Sequence, residues 1–378
     1  MLLNAHDYRA RARRRLPRGV FQYIDRGTED ERALTALRRS LDAITLEPRI
    51  LHGPGVVPLA TQLFGRSVCA PLVIAPTAMA GLVSHDGEAK LARAAAAVGI
   101  PFCVATQSIT PVETIRAAAP EADLWFQLYV WRDRSLVREL LSRAAACGCR
   151  TLVVTVDNQV APNREYNVRN GFGVPVKPTL RNAIDVACHP GWAVGVLLRY
   201  LLAGGMPTYA HYPPAFRSAI TRPSLAEAVR QESALSFADI EWLREAWPGP
   251  VILKGVLSLA DARRCAAANI DGIVVSAHGG RNLDVAPTPA SGLAAIARCG
   301  EGRMAVFADS GVRRGTDVLK YLALGAEAVM LGRLPLWGLA AGDEAGAQAI
   351  LLMVMREMQI ALGYLGAASL RDLTIAAD

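Results

Sequence analysis

One histidine, two isolated arginines, a lysine and a glycine- and arginine-rich loop are the residues best equipped for chemistry in this chain. His278 lies in the run SAHGGRNLD (276–284). A neutral imidazole near pH 7 is a suitable general base. A carboxylate bonded to it would fix its tautomer and stabilise the imidazolium, and Asp157 is the best-placed carboxylate for that task. Arg164 and Arg281 belong to no phosphate-like loop. Facing one cavity they would clamp a carboxylate with bidentate forks, whereas taken singly each reads as a surface ion-pair partner. The segments DSGVRRGTD (309–317) and Gly332-Arg333 combine glycines, which let backbone N–H groups approach an anion, with guanidinium forks. The remaining histidines, His6, His52, His85, His189 and His211, fall in terminal or loop segments and receive no role.

Such residues act together only if the chain brings them to one place. Short apolar runs recur from about residue 70: 71–75, 102–105, 124–129, 151–156, 251–254, 272–276, 305–308 and 328–331. Continuous aliphatic runs of this length read as strands buried on both faces. Amphipathic segments predict helices over 87–98, 111–118, 133–147, 236–246, 260–268, 289–298 and 316–324, with a longer one over 344–362. Thr110 before Pro111, and Ser258 three residues before Asp261, predict helix starts. Eight strands each followed by a helix predict a (β/α)8 TIM barrel, with an N-terminal helical segment and a single domain over 1–378. A doubly wound open sheet is the alternative. It should carry G-x-G-x-x-G after its first strand, but the sequence after Ala75 is PTAMAG.

On a barrel, the polar residues fall where chemistry collects, at the C-terminal ends of the strands. Gln127 and Tyr129 close the third run, Thr155 and Asp157 the fourth and Lys254 the fifth; Ser276, His278 and Arg281 follow the sixth. Asp309 and Ser310 follow the seventh, and Gly332 and Arg333 the eighth, the usual phosphate position of such barrels. One phosphomonoester fits there and no second cradle is evident, which favours FMN over FAD or NAD.

About eighty residues separate Asp157 from Ser236, so a long insertion after the fourth strand, about 177–221, interrupts the rhythm. It contains the apolar stretch 191–206 broken by Arg199, with Arg181, Arg217 and Arg222 nearby. A peripheral membrane contact, a lid and an oligomer contact all stay open for it. The net charge of +7 suits a solvated basic surface or attraction to anions. No basic stripe interleaved with aromatics argues for nucleic acid. Seven cysteines without C-x-x-C spacing point to reduced thiols in the cytoplasm, with no disulfide framework and no metal site. No signal peptide follows the basic run 9–15, and no stretch reads as long enough to span a bilayer.

Taken with their order, LPRGVFQYIDRGTEDE (16–31), IAPTAM (74–79), FQLYV (126–130), TVD (155–157), NRE (163–165), LKGV (253–256), SAHGGRNLD and DSGVRRGTD resemble the FMN-dependent L-2-hydroxy acid oxidase and dehydrogenase family. The finer likeness is to (S)-mandelate dehydrogenases, through LWFQLYV, DSGVRRGTD and the CHPGW start within the insertion. The resemblance implies oxidation of an L-2-hydroxy acid to the 2-keto acid at FMN, with oxygen or a quinone as acceptor and a homotetrameric assembly. It implies that His278 is the base and Asp157 its partner, that Tyr23 and Tyr129 hydrogen-bond the substrate, and that Arg164 and Arg281 hold its carboxylate. It places Lys254 beside flavin N1 and O2, Pro76, Thr77 and Ala78 near N5, and Gln127, Thr155, Thr106 and Ser276 around the ring. Asp309, Gly311, Arg313, Gly332 and Arg333 then meet the ribityl phosphate. The chain departs from the family at Ala277, usually asparagine, and at Ala105, usually serine. Gln107 and Ala161 stand where glycolate oxidases have tryptophan and leucine, which implies room for a bulkier side chain such as phenyl. Lactate or glycolate, and another kind of FMN barrel enzyme, are the alternatives.

Overall fold

The apolar runs become strands because a barrel offers each of them two dry faces. The computed structural model describes residues 1–52, 55–172, 176, 179–222 and 226–376; residues 177 and 178, the first two of the expected insertion, lie outside them. Three helices come first: α1 (Ala5–Arg15), α2 (Arg18–Asp25) and α3 (Arg32–Asp42). A hairpin of β1 (Thr61–Leu63) and β2 (Arg66–Val68) follows, turning on Phe64 (φ 48°) and Gly65 (φ 74°). Two left-handed residues are what a two-residue hairpin of the right twist requires.

Eight parallel strands then close a barrel: β3 (Leu72–Ile74), β4 (Phe102–Ala105), β5 (Leu124–Leu128), β6 (Thr151–Thr155), β7 (Val251–Val256), β8 (Gly272–Val275), β9 (Ala305–Ala308) and β10 (Ala328–Leu331), with β10 against β3. This is the predicted (β/α)8 barrel, and the open-sheet alternative falls. Inward side chains such as Val73, Cys103, Trp125, Val153, Ile252, Val274, Phe307 and Met330 fill the interior, while a larger cluster packs the strands on the surrounding helices. Leu63, Phe64 and Val68 of the hairpin join the inner cluster, with the Phe64 ring 5.9 Å from Trp125 and 5.8 Å from Phe307. The N-terminal end of the barrel is thereby plugged, and the functional residues collect at the other end.

The ring of helices is α4 (Gly87–Val98), α5 (Val112–Ala118), α6 (Arg134–Ala146), α7 (Glu165–Arg169), α8 (Leu180–Ala187), α9 (Pro190–Trp192), α10 (Arg199–Ala203), α11 (Phe237–Ala246), α12 (Leu259–Ala267), α13 (Pro289–Gly300), α14 (Gly315–Ala323) and α15 (Arg333–Leu365). Ser258 caps α12 as predicted, accepting from the Asp261 N–H. Thr110 does not cap α5; its hydroxyl donates to the buried Glu88 carboxylate at 2.8 Å. The last helix starts eleven residues earlier than expected, directly at Arg333, and is broken at Gly342 and Asp343, where Asp343 has φ 60°. By length and hydropathy α15 would pass for a membrane span, as would the bent pair Leu180–Ala187 and Pro190–Ala203 taken together, among the described residues. The contacts of α15 with α1, α4 and α14, and the ion pairs Lys90–Asp343 and Arg93–Glu344, make it part of the barrel's own helix layer.

The long connection between β6 and β7 is largely helical. A π-helical stretch, Ala193–Leu198, joins α9 to α10, and α8 meets this rod at 90°. The rod is pegged to the barrel by polar groups. Trp192 Nε1 donates to the Leu82 carbonyl at 2.6 Å, and the Asp86 N–H donates to the Tyr200 hydroxyl at 3.2 Å. The two arms of the insertion leave Leu180, Ile184, Val194, Leu198, Leu201 and Leu202 between 43% and 80% exposed.

Candidate active site

At the end of β8 the chain turns through three consecutive left-handed residues, His278 (φ 51°), Gly279 (φ 66°) and Gly280 (φ 70°). Glycine is required at 280, because a Cβ there would lie 2.7 Å from the Leu34 backbone nitrogen. The turn is pinned from below: the His278 N–H donates to Ser276 Oγ (3.0 Å) and the Gly279 N–H to Ser310 Oγ (2.9 Å). His278 Nδ1 then lies 2.9 Å from Asp157 Oδ1, on the turn after β6. Burial alone would push the Asp157 carboxyl up, but His278, and then Lys254, hold it below the ordinary carboxylate value. An ionised Asp157 fixes hydrogen on Nδ1 and leaves Nε2 as the basic nitrogen.

Beside this pair stand two guanidinium groups with no carboxylate partner among the described residues. Arg164 Nε donates to the Arg281 carbonyl and Nη2 to Asn282 Oδ1, both at 3.2 Å. Arg281 Nη1 donates to the Tyr23 and Arg26 carbonyls at 2.6 and 3.0 Å, and its guanidinium lies 5.2 Å from the Tyr23 ring centre. Burial, and then the charge of Arg281, lower the Arg164 pKa. Burial likewise raises the Tyr129 hydroxyl pKa, with Asp157 adding to it, so the phenol stays a proton donor.

Lys254 is buried and engages Asp309 Oδ2 at 2.8 Å and Ser276 Oγ at 2.9 Å. Burial works against its charge, but Asp309 and Asp157 raise its pKa overall. Also on the wall, Arg333 is buried and Arg313 half-buried, and neither makes an ion pair among the described residues. Arg313 donates to the Val312 carbonyl and stacks on Trp337; Arg333 donates to the carbonyls of Asp25 and Arg26. Burial, with repulsion from Arg38, pushes Arg313 down to about 10. Burial, with repulsion from Arg313, pushes Arg333 down to about 9. Two neighbouring guanidinium groups without an ion pair among the described residues suit an anion such as a phosphate.

One cavity joins these groups. Tyr23, Pro76, Thr77, Ala78, Gln127, Tyr129, Thr155, Arg164, Lys254, His278, Arg281, Asp309, Gly311, Arg313, Gly332 and Arg333 all line it. Three expected site residues stand behind the wall. Asp157 reaches the cavity only through His278. Thr106 donates to the Gln127 carbonyl and accepts from the Tyr129 N–H. Ser276 is held between Lys254 and His278. Gln107 is on the wall, within hydrogen-bonding reach of Tyr212, but Ala161 is solvent-exposed and off it. The space argument for a bulky substrate therefore rests on Gln107 alone. No cluster of His, Cys, Asp or Glu suited to a metal occurs among the described residues.

Some participants carried no signal of their own. Asn158 lines the cavity next to Tyr129, and Asn282 bridges Arg164 to the Asp157 carbonyl. His211, given no role above, is fully buried with Nδ1 at 3.1 and 3.2 Å from the Ala105 and Thr106 carbonyls. Burial, aided by Arg143, lowers its pKa to about 4, so it is a neutral peg holding the insertion to the end of β4.

The residues present suit a flavin mononucleotide. Gln127 Nε2 is buried without a partner among the described residues, as an amide facing a ring carbonyl would be in the protein alone. A Cβ on Gly332 would meet nothing within 4 Å, so the backbone there is open to a ligand, and Arg313 and Arg333 supply the charge a phosphate dianion needs.

Comparison with known proteins agrees. A family described as FMN-dependent dehydrogenase matches residues 12–377. The L-lactate dehydrogenase of Xanthomonas campestris pv. campestris (strain B100) is 40% identical over 98% of this chain and 95% of its own length. That of Pectobacterium atrosepticum is 40% identical over 99% and 96%. Among solved structures, a monotopic membrane protein, (S)-mandelate dehydrogenase, superposes with a TM-score of 0.92 at 34% identity over the whole of both chains. A mandelate oxidase variant gives 0.84 at 31% identity, covering 100% and 99%. With residues 12–377 matched and its cavity furnished for the cofactor, the chain belongs to the FMN-dependent dehydrogenase family.

Proposed function

We propose that this enzyme oxidises an L-2-hydroxy acid to the 2-keto acid with His278 as the general base. The observation that carries the reading is the grouping of one imidazole, oriented by Asp157, with two guanidinium groups on the wall of one cavity. The substrate carboxylate docks on Arg164 and Arg281, whose hydrogen bonds among the described residues go to neutral carbonyl and amide oxygens. Tyr23 and Tyr129 donate to substrate oxygens and orient the hydroxyl toward His278 Nε2. His278 takes the hydroxyl proton as the α-carbon is oxidised, and Asp157 stabilises the imidazolium. FMN, when bound, would supply the acceptor for the α-hydrogen and the pair of electrons of the C–H bond that breaks. Lys254 contributes positive charge at the cofactor side of the cavity, and Arg313 and Arg333 hold the phosphate. Pro76, Thr77, Ala78, Gln127, Thr155, Asp309, Gly311 and Gly332 form the rest of the cofactor's wall, braced by Thr106 and Ser276.

Mandelate or a similar bulky 2-hydroxy acid is the substrate favoured by Gln107, where a larger side chain would narrow the cavity. Lactate is the second reading, favoured by the naming of the curated relatives. The exposed apolar side of 180–203 supports peripheral attachment through the insertion to the inner face of the cytoplasmic membrane, with a quinone as acceptor in preference to oxygen. Seven unpaired cysteines agree with a reducing compartment. The reading includes a homotetramer.

The test is anaerobic flavin bleaching with a panel of L-2-hydroxy acids. The His278→Gln enzyme should purify yellow, yet bleach at least a thousandfold more slowly than the wild type. Rapid bleaching of that variant would remove His278 from the mechanism.

A further inference from the structure

We infer that Asn282 is a positioning residue that keeps Arg164 oriented and unneutralised for the substrate carboxylate while holding the Asp157 turn beside it. The inference rests on the reading of Arg164 and Arg281 as a carboxylate clamp. Asn282 lies four residues beyond His278, and its carboxamide is engaged at both ends. Nδ2 donates to the Asp157 carbonyl at 2.9 Å, and Oδ1 accepts from Arg164 Nη2 at 3.2 Å. The orientation of the amide is set by chemistry, since a carbonyl cannot donate and a guanidinium cannot accept. One side chain therefore ties the loop after β8 to both functional parts of the loop after β6: the arginine that would hold the carboxylate and the aspartate that orients the base.

The neutrality of Asn282 matters as much as its geometry. Arg164 rests on two uncharged acceptors, Asn282 Oδ1 and the Arg281 carbonyl, with a second guanidinium nearby. Hydrogen bonds to neutral oxygens fix its direction without cancelling its charge, so the attraction is kept for an incoming anion. An aspartate at 282 would match Asn282 in size and still accept from Nη2. It would also place a carboxylate on Arg164, making an internal ion pair that an incoming carboxylate must displace. It would face the Asp157 carbonyl with an oxygen in place of a donor, losing that bond.

The experiment uses the flavin-loaded enzyme and two readouts: the dissociation constant of oxalate, a carboxylate ligand with no C–H bond to oxidise, from the flavin absorbance change, and the limiting rate of anaerobic bleaching by substrate. Asn282→Asp should weaken oxalate and substrate binding at least tenfold. Asn282→Ala, which removes the acceptor but adds no charge, should weaken oxalate about threefold and slow limiting bleaching more than it weakens binding, because the Asp157 turn is released. A residue that merely supports the fold would lower flavin content and melting temperature in both variants and would not separate Asp from Ala in oxalate affinity. Equal losses in the two variants, or oxalate binding in Asn282→Asp as tight as in the wild type, would overturn the inference. Should Asn282→Asp fail to retain flavin, Asn282→Ser, which keeps a neutral acceptor, should bind oxalate within threefold of wild type; a tenfold loss there overturns it equally. Arg164→Met serves as the control on the underlying reading: if oxalate affinity survives it, the clamp itself is wrong and the role of Asn282 falls with it.

Discussion

Replacing Asp157 with asparagine isolates the contribution of one charge to the reaction. The exchange keeps size and removes the carboxylate that lies 2.9 Å from His278 Nδ1. With charge centres roughly 4 Å apart, an imidazolium and a carboxylate attract by about 4 kcal/mol at an effective dielectric of about 20, and about 1 kcal/mol in water. Both side chains are 18% exposed, and Asp157 also faces Lys254, so the middle of that range is appropriate. A loss of about 2–3 kcal/mol corresponds to roughly a 30- to 150-fold slower step. An asparagine that turns its NH2 toward Nδ1 would put the hydrogen on Nε2 and deepen the loss. The assay is single-turnover anaerobic bleaching at saturating substrate. The limiting rate should fall by that factor, while the substrate dissociation constant moves less than threefold, since the arginines are untouched. The pH dependence has a definite sign. The native carboxyl titrates below its unfolded value, so its contribution is complete above the unfolded pKa and disappears as pH drops through the lower, native one. The rate gap between wild type and variant should be constant through neutral pH and narrow only in acid. A change below threefold, or one confined to substrate affinity, would refute this account of the pair.

Two further outcomes follow from the cofactor end and the insertion. Arg333→Met should weaken FMN binding by at least tenfold while leaving the flavin-free protein as heat-stable as wild type or more so, because it removes one of two mutually repelling cations; titrating the flavin-free variant with FMN checks both halves, and unchanged affinity refutes the phosphate assignment. Leu198→Glu combined with Leu202→Glu, both on the exposed side of the insertion, should shift the enzyme from the membrane pellet to the supernatant without slowing anaerobic bleaching; an unchanged distribution counts against attachment.

The barrel was readable because its strands have no wet face. Runs such as Leu124–Leu128 and Thr151–Thr155 are buried throughout, so their composition carries the pattern directly. The site was readable to the same depth: a polar residue ending such a run must lie at the barrel's C-terminal end. Strand ends do not say which way a side chain then turns, and so Thr106 and Ser276 appear behind the wall they were expected to form. Asn158 and Asn282 sit in turns with no periodicity, where neither composition nor spacing separates a bridging amide from a solvated one. Ala161 was misplaced for the same reason. The start of α15 at Arg333 was hidden because glycine and arginine after a strand suit a phosphate loop equally well, and here they serve as loop and helix start at once. The helices of the insertion were obscured by their bare outer side, which gives no inside-outside contrast to follow.

The plug formed by Leu63, Phe64 and Val68 has a kinetic corollary. A vessel stoppered at its base leaves the opposite end to both halves of the catalytic cycle. The spent keto acid leaves and the oxidant arrives through the same mouth, which favours a double-displacement cycle, with parallel reciprocal plots when both reagents are varied. Any molecule lodged in the doorway should then slow reoxidation as well as reduction.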